Sequence, residues 1–170
     1  KLRYRDFVET KGDRPLHHGT AVASILVGSQ KQEKPNHYQG LLPNGELFSA
    51  GVFFEDPKYG QRATVKSLVL AINWMAEENI DVVNVSLTGP DNRILKSALQ
   101  KLHEKGALVV AAVGNEGPSA KPLFPAGYDF VVAVTATNKK NFAYHKANRG
   151  KHVDIAAPGV AIKHAREGGG

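Results

Sequence analysis

The chain has 170 residues, of which 42% are hydrophobic and 22% are charged, an ordinary composition for one globular domain. Lys and Arg outnumber Asp and Glu by 22 to 16, but the basic residues are scattered without an aromatic platform, so we expect no nucleic-acid partner. The absence of cysteine excludes disulfides, thiolate metal sites and a cysteine nucleophile. No apolar run is long enough for a membrane span, and the first residues lack the apolar core of a signal peptide.

Apolar runs alternate with segments of helical period along the chain. The runs are too continuous for half-exposed strands and predict strands that are buried on both faces: Leu47–Phe54, Ile80–Val85, Ala107–Val113 and Phe130–Val134. The segments between them predict helices over Thr20–Val27, Thr64–Glu78 and Arg93–Lys105. This alternation predicts right-handed crossovers and an α/β fold, a three-layer α/β/α sandwich with a mainly parallel central sheet.

The third predicted helix has clear start and stop signals. Asp91 or Asn92 is expected to cap its first turn, and Gly106 suits the left-handed position after its last turn. Parallel sheets covered by helices place ligand sites beyond the carboxyl ends of their strands. The loops that follow the strands are therefore the first places to search for function.

His18 lies at the start of the first predicted helix, in His18-Gly19-Thr20. An imidazole titrates near neutral pH, so it can take a proton from a nucleophile and return it to a leaving group. By itself a histidine at a helix start is more often structural. The neighbouring His17 suggests a metal pair, but adjacent side chains diverge and no further ligand motif accompanies them.

Asn115 follows the buried run Ala107–Val113, between Gly114 and Glu116. Its amide is an uncharged donor that can stabilise a developing oxyanion. The alternative is a turn asparagine that bonds its own backbone. A further segment, Asn84–Pro90, continues from a predicted strand into a loop. Its backbone groups could pair with an extended peptide; the alternative is an ordinary strand-to-helix connection.

The order and spacing of these segments resemble the subtilisin-like (subtilase) serine peptidase family. The segment that begins at His18 is similar to the family's catalytic histidine motif, Asn84–Pro90 to its substrate-binding strand, and Ala111–Gly117 to its oxyanion-hole segment. Later core segments of the family also have counterparts here, at Phe124–Ala126, Val131–Val134 and Asp154–Gly159. The resemblance runs from about Leu16 to Ile162, a length that single motifs do not reach.

The resemblance implies a subtilisin-like fold and specific residue roles. His18 would be the general acid and base, and Asn115 would donate to the oxyanion. The substrate-binding residues that it implies are Ser86, Leu87, Thr88, Gly89, Gly114 and Glu116. Glu116 would lie near the pocket for the residue that precedes the scissile bond, and the family usually has glycine where Thr88 stands.

Two members of the family's catalytic triad have no counterpart in the chain. The family's aspartate lies in an Asp-Ser/Thr-Gly motif, whereas Asp6 precedes Phe and Asp13 precedes Arg. The family's nucleophile lies in a Gly-Thr-Ser motif, which does not occur here, and Ser24, Ser67 and Ser97 lie in helix-like segments. We therefore expect residues 1–170 to be an incomplete catalytic domain, without the aspartate strand and the nucleophile helix, and to be inactive alone.

The resemblance implies that the parent protein is a serine endopeptidase acting on peptide or protein substrates. The alternatives are a non-catalytic peptide-binding module that has lost the triad and, ranked last, a basic nucleic-acid-binding domain. No cofactor is expected; calcium would follow from the resemblance alone, since no Asp-rich loop indicates ligands. A secreted or periplasmic location likewise follows from the resemblance. Self-association is expected, because an incomplete domain exposes apolar surface.

Overall fold

The computed structural model describes residues 1–9, 14–29 and 38–166. The chain forms two compact units, one made of Lys1–Ala71 with Lys163–Gly170 and the other of Ile72–Ile162. In chain order the elements are β1 (Leu2–Asp6), α1 (His17–Val27), β2 (Leu47–Gly51), β3 (Phe53–Asp56), β4 (Gly60–Ala63), α2 (Val65–Glu77), β5 (Val82–Val85), α3 (Arg93–Glu104), β6 (Leu108–Ala112), β7 (Val132–Thr137) and β8 (Ile155–Pro158).

The first unit contains two small sheets and α1. β1 and β2 pair in parallel, with Leu2 opposite Leu47 and Asp6 opposite Gly51. β3 and β4 form an antiparallel hairpin. The single strand predicted over Leu47–Phe54 is therefore wrong: it divides at the buried Val52, and each half has a different partner strand.

The second unit is built on a four-stranded sheet in the order β5-β6-β7-β8, and every neighbouring pair is parallel. α3 packs against β6. Its apolar stripe is buried together with alternate residues of the strands: Leu95, Leu99, Leu102, Val83, Val109, Ala111 and Ala133. This stripe and these strand residues form the core of the unit.

The prediction that these strands are buried on both faces is wrong. Val83 and Val109 are 4% and 0% exposed, whereas Val82 and Leu108, their neighbours on the opposite face, are 55% and 44% exposed. Ile155 on β8 is 52% exposed. A continuous apolar run indicates that a strand can be covered on both sides, but burial itself depends on which elements pack there.

The ends of α3 confirm the capping prediction. Asn92 is its N-cap, and the side-chain oxygen of Asn92 accepts hydrogen bonds from the N–H groups of Ile94 and Leu95, both at 3.0 Å. Gly106 has a φ of +104°, the left-handed conformation that glycine adopts without a Cβ penalty.

Candidate active site

His18 lies in the first turn of α1, which begins at His17, three residues earlier than predicted. The N-cap, Leu16, makes no side-chain hydrogen bond to the helix. The His18 side chain is exposed, and no hydrogen bond or ion pair joins its imidazole to another residue in the described part of the chain. The imidazole is thus accessible to an incoming group. In contrast, the His17 Nε2 lies 3.4 Å from Gln61 Nε2 on β4.

Asp6, at the end of β1, is engaged by groups other than His18. Its carboxylate accepts a hydrogen bond from Arg14 Nε at 2.7 Å and another from the Val8 N–H at 3.0 Å. Partial burial alone would raise the pKa of Asp6, but the hydrogen bonds from Arg14, Val8 and Phe7 and the Arg14 charge together hold that pKa below its usual value. Asp6 therefore forms a local ion pair. Asp13 lies outside the described residues.

Ser24 and Ser67, two of the three serines that the sequence assigned to helices, have structural roles in the first unit, whereas Ser97, on α3, is exposed. Ser24 Oγ donates to the Ala21 carbonyl at 2.8 Å and accepts from the Ala165 N–H at 2.9 Å. Ser67, 3% exposed, exchanges hydrogen bonds with Thr64 at the start of α2. Buried hydroxyls with these partners are not free to act as nucleophiles.

Asn115 lies three residues beyond the carboxyl end of β6, an interior strand of the four-stranded sheet. Its side chain is exposed, and its amide makes no hydrogen bond to any residue that the structure describes. It opens on a cavity of about 440 Å³ at the carboxyl ends of β6, β7 and β8. The cavity is lined by Ala112, Val113, Gly114, Asn115, Val134, Ala136, Tyr144, Ala147, Gly159, Val160 and Ala161.

The turn that carries Asn115 depends on glycine. Gly114 has a φ of +98°, and a Cβ at that position would lie 2.8 Å from Leu123 Cδ1 and 3.4 Å from Thr88 Cγ2. Only glycine fits this conformation and this space without strain. The same distances place Thr88, from the predicted substrate-binding segment, beside the predicted oxyanion segment.

The predicted substrate-binding segment, Ser86 to Gly89, continues from the edge strand β5. Among the backbone hydrogen bonds outside the regular elements of the described chain, none involves Ser86, Leu87 or Thr88. Gly89 differs, since its N–H and C=O bond the Phe124 backbone at 2.8 Å and 3.0 Å. Ser86 Oγ accepts from Asn84 Nδ2 at 2.7 Å. The segment thus has free backbone groups up to Thr88 and is anchored at Gly89.

Two further residues bear on this site, one predicted and one missed. The Glu116 side chain is exposed and does not line the cavity, while its N–H donates to Asn148 Oδ1 at 2.8 Å. Asn148 is 0% exposed, and no sequence motif indicated a role for it. Its position, about thirty residues downstream in an Ala-Asn-Arg-Gly loop, carries no local pattern that indicates contact with the Asn115 turn.

Within residues 1–9, 14–29 and 38–166, no group of three or more His, Asp or Glu side chains is arranged to hold a metal ion. Calcium therefore stays an expectation from the family resemblance. None of the described helices has the length and apolarity that a membrane crossing requires. His18 belongs to the first unit and Asn115 to the second, and their action at one site is an expectation from the family resemblance.

Comparison with known proteins identifies relatives in one family. The subtilase family (peptidase S8) profile matches residues 7–169. The minor extracellular protease Epr of Bacillus subtilis is 36% identical over 85% of this chain and 22% of its own length. Subtilisin DY of Bacillus licheniformis is 32% identical over 85% of this chain and 52% of its own length.

Solved structures give the same result for the fold. A mutant of the protease domain of PatA matches with a TM-score of 0.83 at 25% identity, over 99% of this chain and 63% of that one. A cold-adapted subtilisin-like serine proteinase matches with a TM-score of 0.78 at 27% identity, over 97% and 58%. These matches confirm the predicted α/β, subtilisin-like fold class with mainly parallel strands.

The chain spans only part of the length of the relatives that it matches, between 22% and 63% in these comparisons. The matched region nevertheless includes most of the first compact unit, all of the second, and both segments in which catalytic roles were predicted. By its sequence over residues 7–169 and by its fold, this chain belongs to the subtilase family.

Proposed function

We propose that the parent protein of these residues is a serine endopeptidase in which Asn115 stabilises the oxyanion and His18 transfers protons. The proposal is supported mainly by the surroundings of the Asn115 amide. It is exposed, makes no hydrogen bond to a described residue, follows an interior parallel strand and opens on a cavity. A turn asparagine would use its side chain on its own backbone, whereas an oxyanion donor keeps that amide free for the substrate.

His18 is suited to the proton transfers of acyl-enzyme chemistry. A serine oxygen attacks the substrate carbonyl carbon, and its proton passes to the His18 imidazole. The carbon–nitrogen bond then breaks as the imidazole returns that proton to the leaving amine, and water hydrolyses the acyl-enzyme in the reverse sense. The nucleophilic serine and the acid that orients His18 would be supplied by parts of the parent protein outside residues 1–170.

The free backbone from Ser86 to Thr88 is suited to holding the substrate. An extended peptide that pairs there would lie as an added strand, and main-chain hydrogen bonds would supply affinity with little dependence on sequence. Gly89 would anchor the segment through Phe124 rather than pair with the substrate. The Thr88 side chain, next to Gly114, would limit the size of the substrate residue at that point.

Glu116 is exposed on the turn next to Asn115, and we propose that it modestly favours substrates with Lys or Arg before the scissile bond. The matched change is Glu116→Gln, which keeps the shape and removes the charge. We expect the preference for Lys over Phe, measured as kcat/KM at low salt, to fall in this variant. An unchanged preference would indicate that Glu116 is a solvated surface residue that does not affect substrate choice.

The test of the function uses the full-length parent protein. We expect a serine-directed fluorophosphonate probe to label it stoichiometrically and a casein or peptide substrate to be cleaved. His18→Ala should abolish both within detection, because the triad acts as a unit. His17→Ala is the matched control and should retain the activity. A loss of activity in both variants alike would point to a structural role for this turn.

The second candidate function is a peptide-binding module without catalysis. It is favoured by one observation: no described carboxylate bonds the His18 imidazole, and Asp6 is occupied by Arg14. This candidate predicts that the full-length protein binds extended peptides but neither cleaves them nor reacts with the probe.

We also propose that residues 1–170 alone do not cleave peptides, since the chain contains no Gly-Thr-Ser motif. Stoichiometric labelling of any serine within it would overturn that proposal. A secreted parent is proposed by analogy with Epr, whose name describes it as extracellular.

A further inference from the structure

Asn148 is a buried polar residue whose hydrogen bonds converge on the Asn115 turn. It is 0% exposed. Its main-chain N–H donates to the Gly114 carbonyl at 3.0 Å, its Oδ1 accepts from the Glu116 N–H at 2.8 Å, and its Nδ2 donates to the Lys121 carbonyl at 3.3 Å. A buried amide with both ends satisfied is rigid, because releasing either bond would leave a polar group without a partner.

Two of these bonds act on the peptide groups on either side of Asn115. The Gly114 carbonyl belongs to the peptide plane that precedes the Asn115 Cα, and the Glu116 N–H belongs to the plane that follows it. Together these two planes set the φ and ψ of Asn115 and therefore the direction of its Cα–Cβ bond. One buried residue thus determines the direction in which the Asn115 side chain leaves the backbone.

The Asn115 side chain has no other support among the described residues. Its amide makes no hydrogen bond there, so its aim depends on the backbone beneath it. The turn is joined once more to the same downstream segment, since the Gly117 N–H donates to the Lys146 carbonyl at 2.9 Å. The left-handed Gly114 and Gly117, with φ of +98° and +104°, let the chain meet these partners.

We propose that Asn148 is a positioning residue for the oxyanion donor: its side-chain oxygen holds the Glu116 N–H after Asn115, while its main-chain N–H holds the Gly114 carbonyl before Asn115. The proposal rests on the proposed function of Asn115 for its kinetic consequences. Its structural content, that Asn148 fixes the Gly114–Glu116 backbone, can be tested independently of activity.

The kinetic test is a double-mutant cycle in the full-length protein. Asn148→Leu has a similar side-chain volume and lacks both polar ends of the side chain. We expect it to lower kcat about 10- to 100-fold with KM changed less than about twofold, because a displaced oxyanion donor loses most of its effect on the transition state. In an Asn115→Ala background the same change should lower kcat by less than about threefold, because the group that it positions is gone. Equal losses in both backgrounds would overturn the proposal.

Asn92→Ala is the matched control for stability. It removes the N-cap of α3 in the same unit without touching the turn, so it should lower the melting temperature and leave kcat unchanged. Asn148→Asp keeps an acceptor for the Glu116 N–H, but it replaces the donor to the Lys121 carbonyl with an oxygen and adds a buried acidic group. It should retain a higher kcat than the leucine variant. If Asn148→Leu does not fold, the aspartate variant enters the cycle in its place.

Hydrogen–deuterium exchange separates this proposal from the proposed function. We expect the segment 113–118 to exchange about tenfold faster or more in Asn148→Leu, and in the aspartate variant to a smaller degree, than in the wild type or in Asn92→Ala. Unchanged exchange there would overturn the positioning role even in an active enzyme. A wild-type protein without hydrolysis or labelling would refute the proposed function, and the exchange result would still decide the role of Asn148.

Discussion

The chemistry proposed for the site depends on an amide whose donors are free in this structure. Oxyanion stabilisation by a neutral side chain is effective because the donor is oriented before charge develops, so no reorganisation is needed during the reaction. The turn that carries Asn115 is bonded to Asn148 and depends on the left-handed Gly114, and the Asn115 amide itself has no protein partner among the described residues. This arrangement separates the catalytic role that we propose for Asn115 from any role in stability.

For Asn115→Ala in the full-length protein we therefore predict a loss of activity without a loss of stability. We expect kcat to fall by roughly 10² to 10³-fold, the usual effect of removing one oxyanion donor, with KM nearly unchanged. The melting temperature should change little, because no hydrogen bond within the described chain is lost. Asn115→Asp should be worse, since it sets a negative charge against the oxyanion. A lower melting temperature with kcat retained in the folded fraction would instead indicate a turn asparagine.

Asp6 is an aspartate whose described contacts contribute to stability and do not involve His18. Its carboxylate is paired with Arg14 and with the Val8 N–H, and its pKa is held below the ordinary value in spite of partial burial. A carboxyl group with a lowered folded-state pKa contributes stability above its unfolded-state pKa. That contribution disappears as the pH falls through the folded-state value.

For Asp6→Asn we therefore expect a lower free energy of unfolding than the wild type at neutral pH. The difference between the two should shrink as the pH is lowered below about 4, where the unfolded-state carboxyl becomes protonated. Urea unfolding at several pH values measures this. The control is Glu9→Gln, which removes an exposed ion pair with Lys66 and should have an effect of only a few tenths of a kcal/mol. A difference that stays constant with pH would contradict the charge-based explanation.

Among the elements, α3 has an N-terminus held by several side chains. Asn92 caps two N–H groups, and the buried hydroxyl of Tyr128 lies 2.9 Å from Asp91 Oδ1 and 3.2 Å from the Asn92 carbonyl. Burial and the neighbouring Asp91 raise the pKa of Tyr128, so its hydroxyl stays protonated and can donate. The loop before α3 is thereby joined to the segment that follows Phe124.

We expect Asn92→Ala and Tyr128→Phe each to lower the free energy of unfolding by about 1 kcal/mol. The double variant should lose less than the sum, because both side chains support the same helix end. Thermal or urea unfolding of the variants measures these effects. Strict additivity would indicate that Tyr128 acts independently of the cap.

α3 was predictable from the sequence because its signals are local: a cap residue, a stripe of leucines and a glycine after the last turn. β1, the β3–β4 hairpin and β8 were not predicted, since a short strand is defined by its pairing more than by its own sequence, and the partners of β1 and β8 are distant in sequence. Likewise, the motif sequences indicated His18 and Asn115, whereas the contact of Asn148 with the Asn115 turn depends on a loop about thirty residues downstream. Local patterns therefore indicated the candidate reactive groups, whereas the contacts that hold the Asn115 turn could be found only in the tertiary structure.

At the scale of the whole chain, the four-stranded sheet has one well-covered face and one that is open. Val83, Val109 and Ala111 are 4% exposed or less on the face against α3, while the opposite face presents Val82, Leu108 and Ile155, each more than 40% exposed. Large apolar side chains that protrude together from a sheet favour association. The edge strand β5 adds backbone groups that can pair with another chain.

The last prediction is that residues 1–170 alone self-associate through this open face. Burying the exposed valine, leucine and isoleucine against a second copy removes apolar area from water, which is the main driving force of association. We expect the average mass from sedimentation or light scattering to rise with concentration. Leu108→Lys combined with Ile155→Lys should shift the protein toward monomer, because two charges would have to be desolvated in the contact. Leu70→Lys is the control, since it alters an exposed leucine on α2 outside the sheet and should leave the association unchanged. A cooperatively melting wild-type monomer over about a hundredfold range of concentration would show instead that this face stays in water.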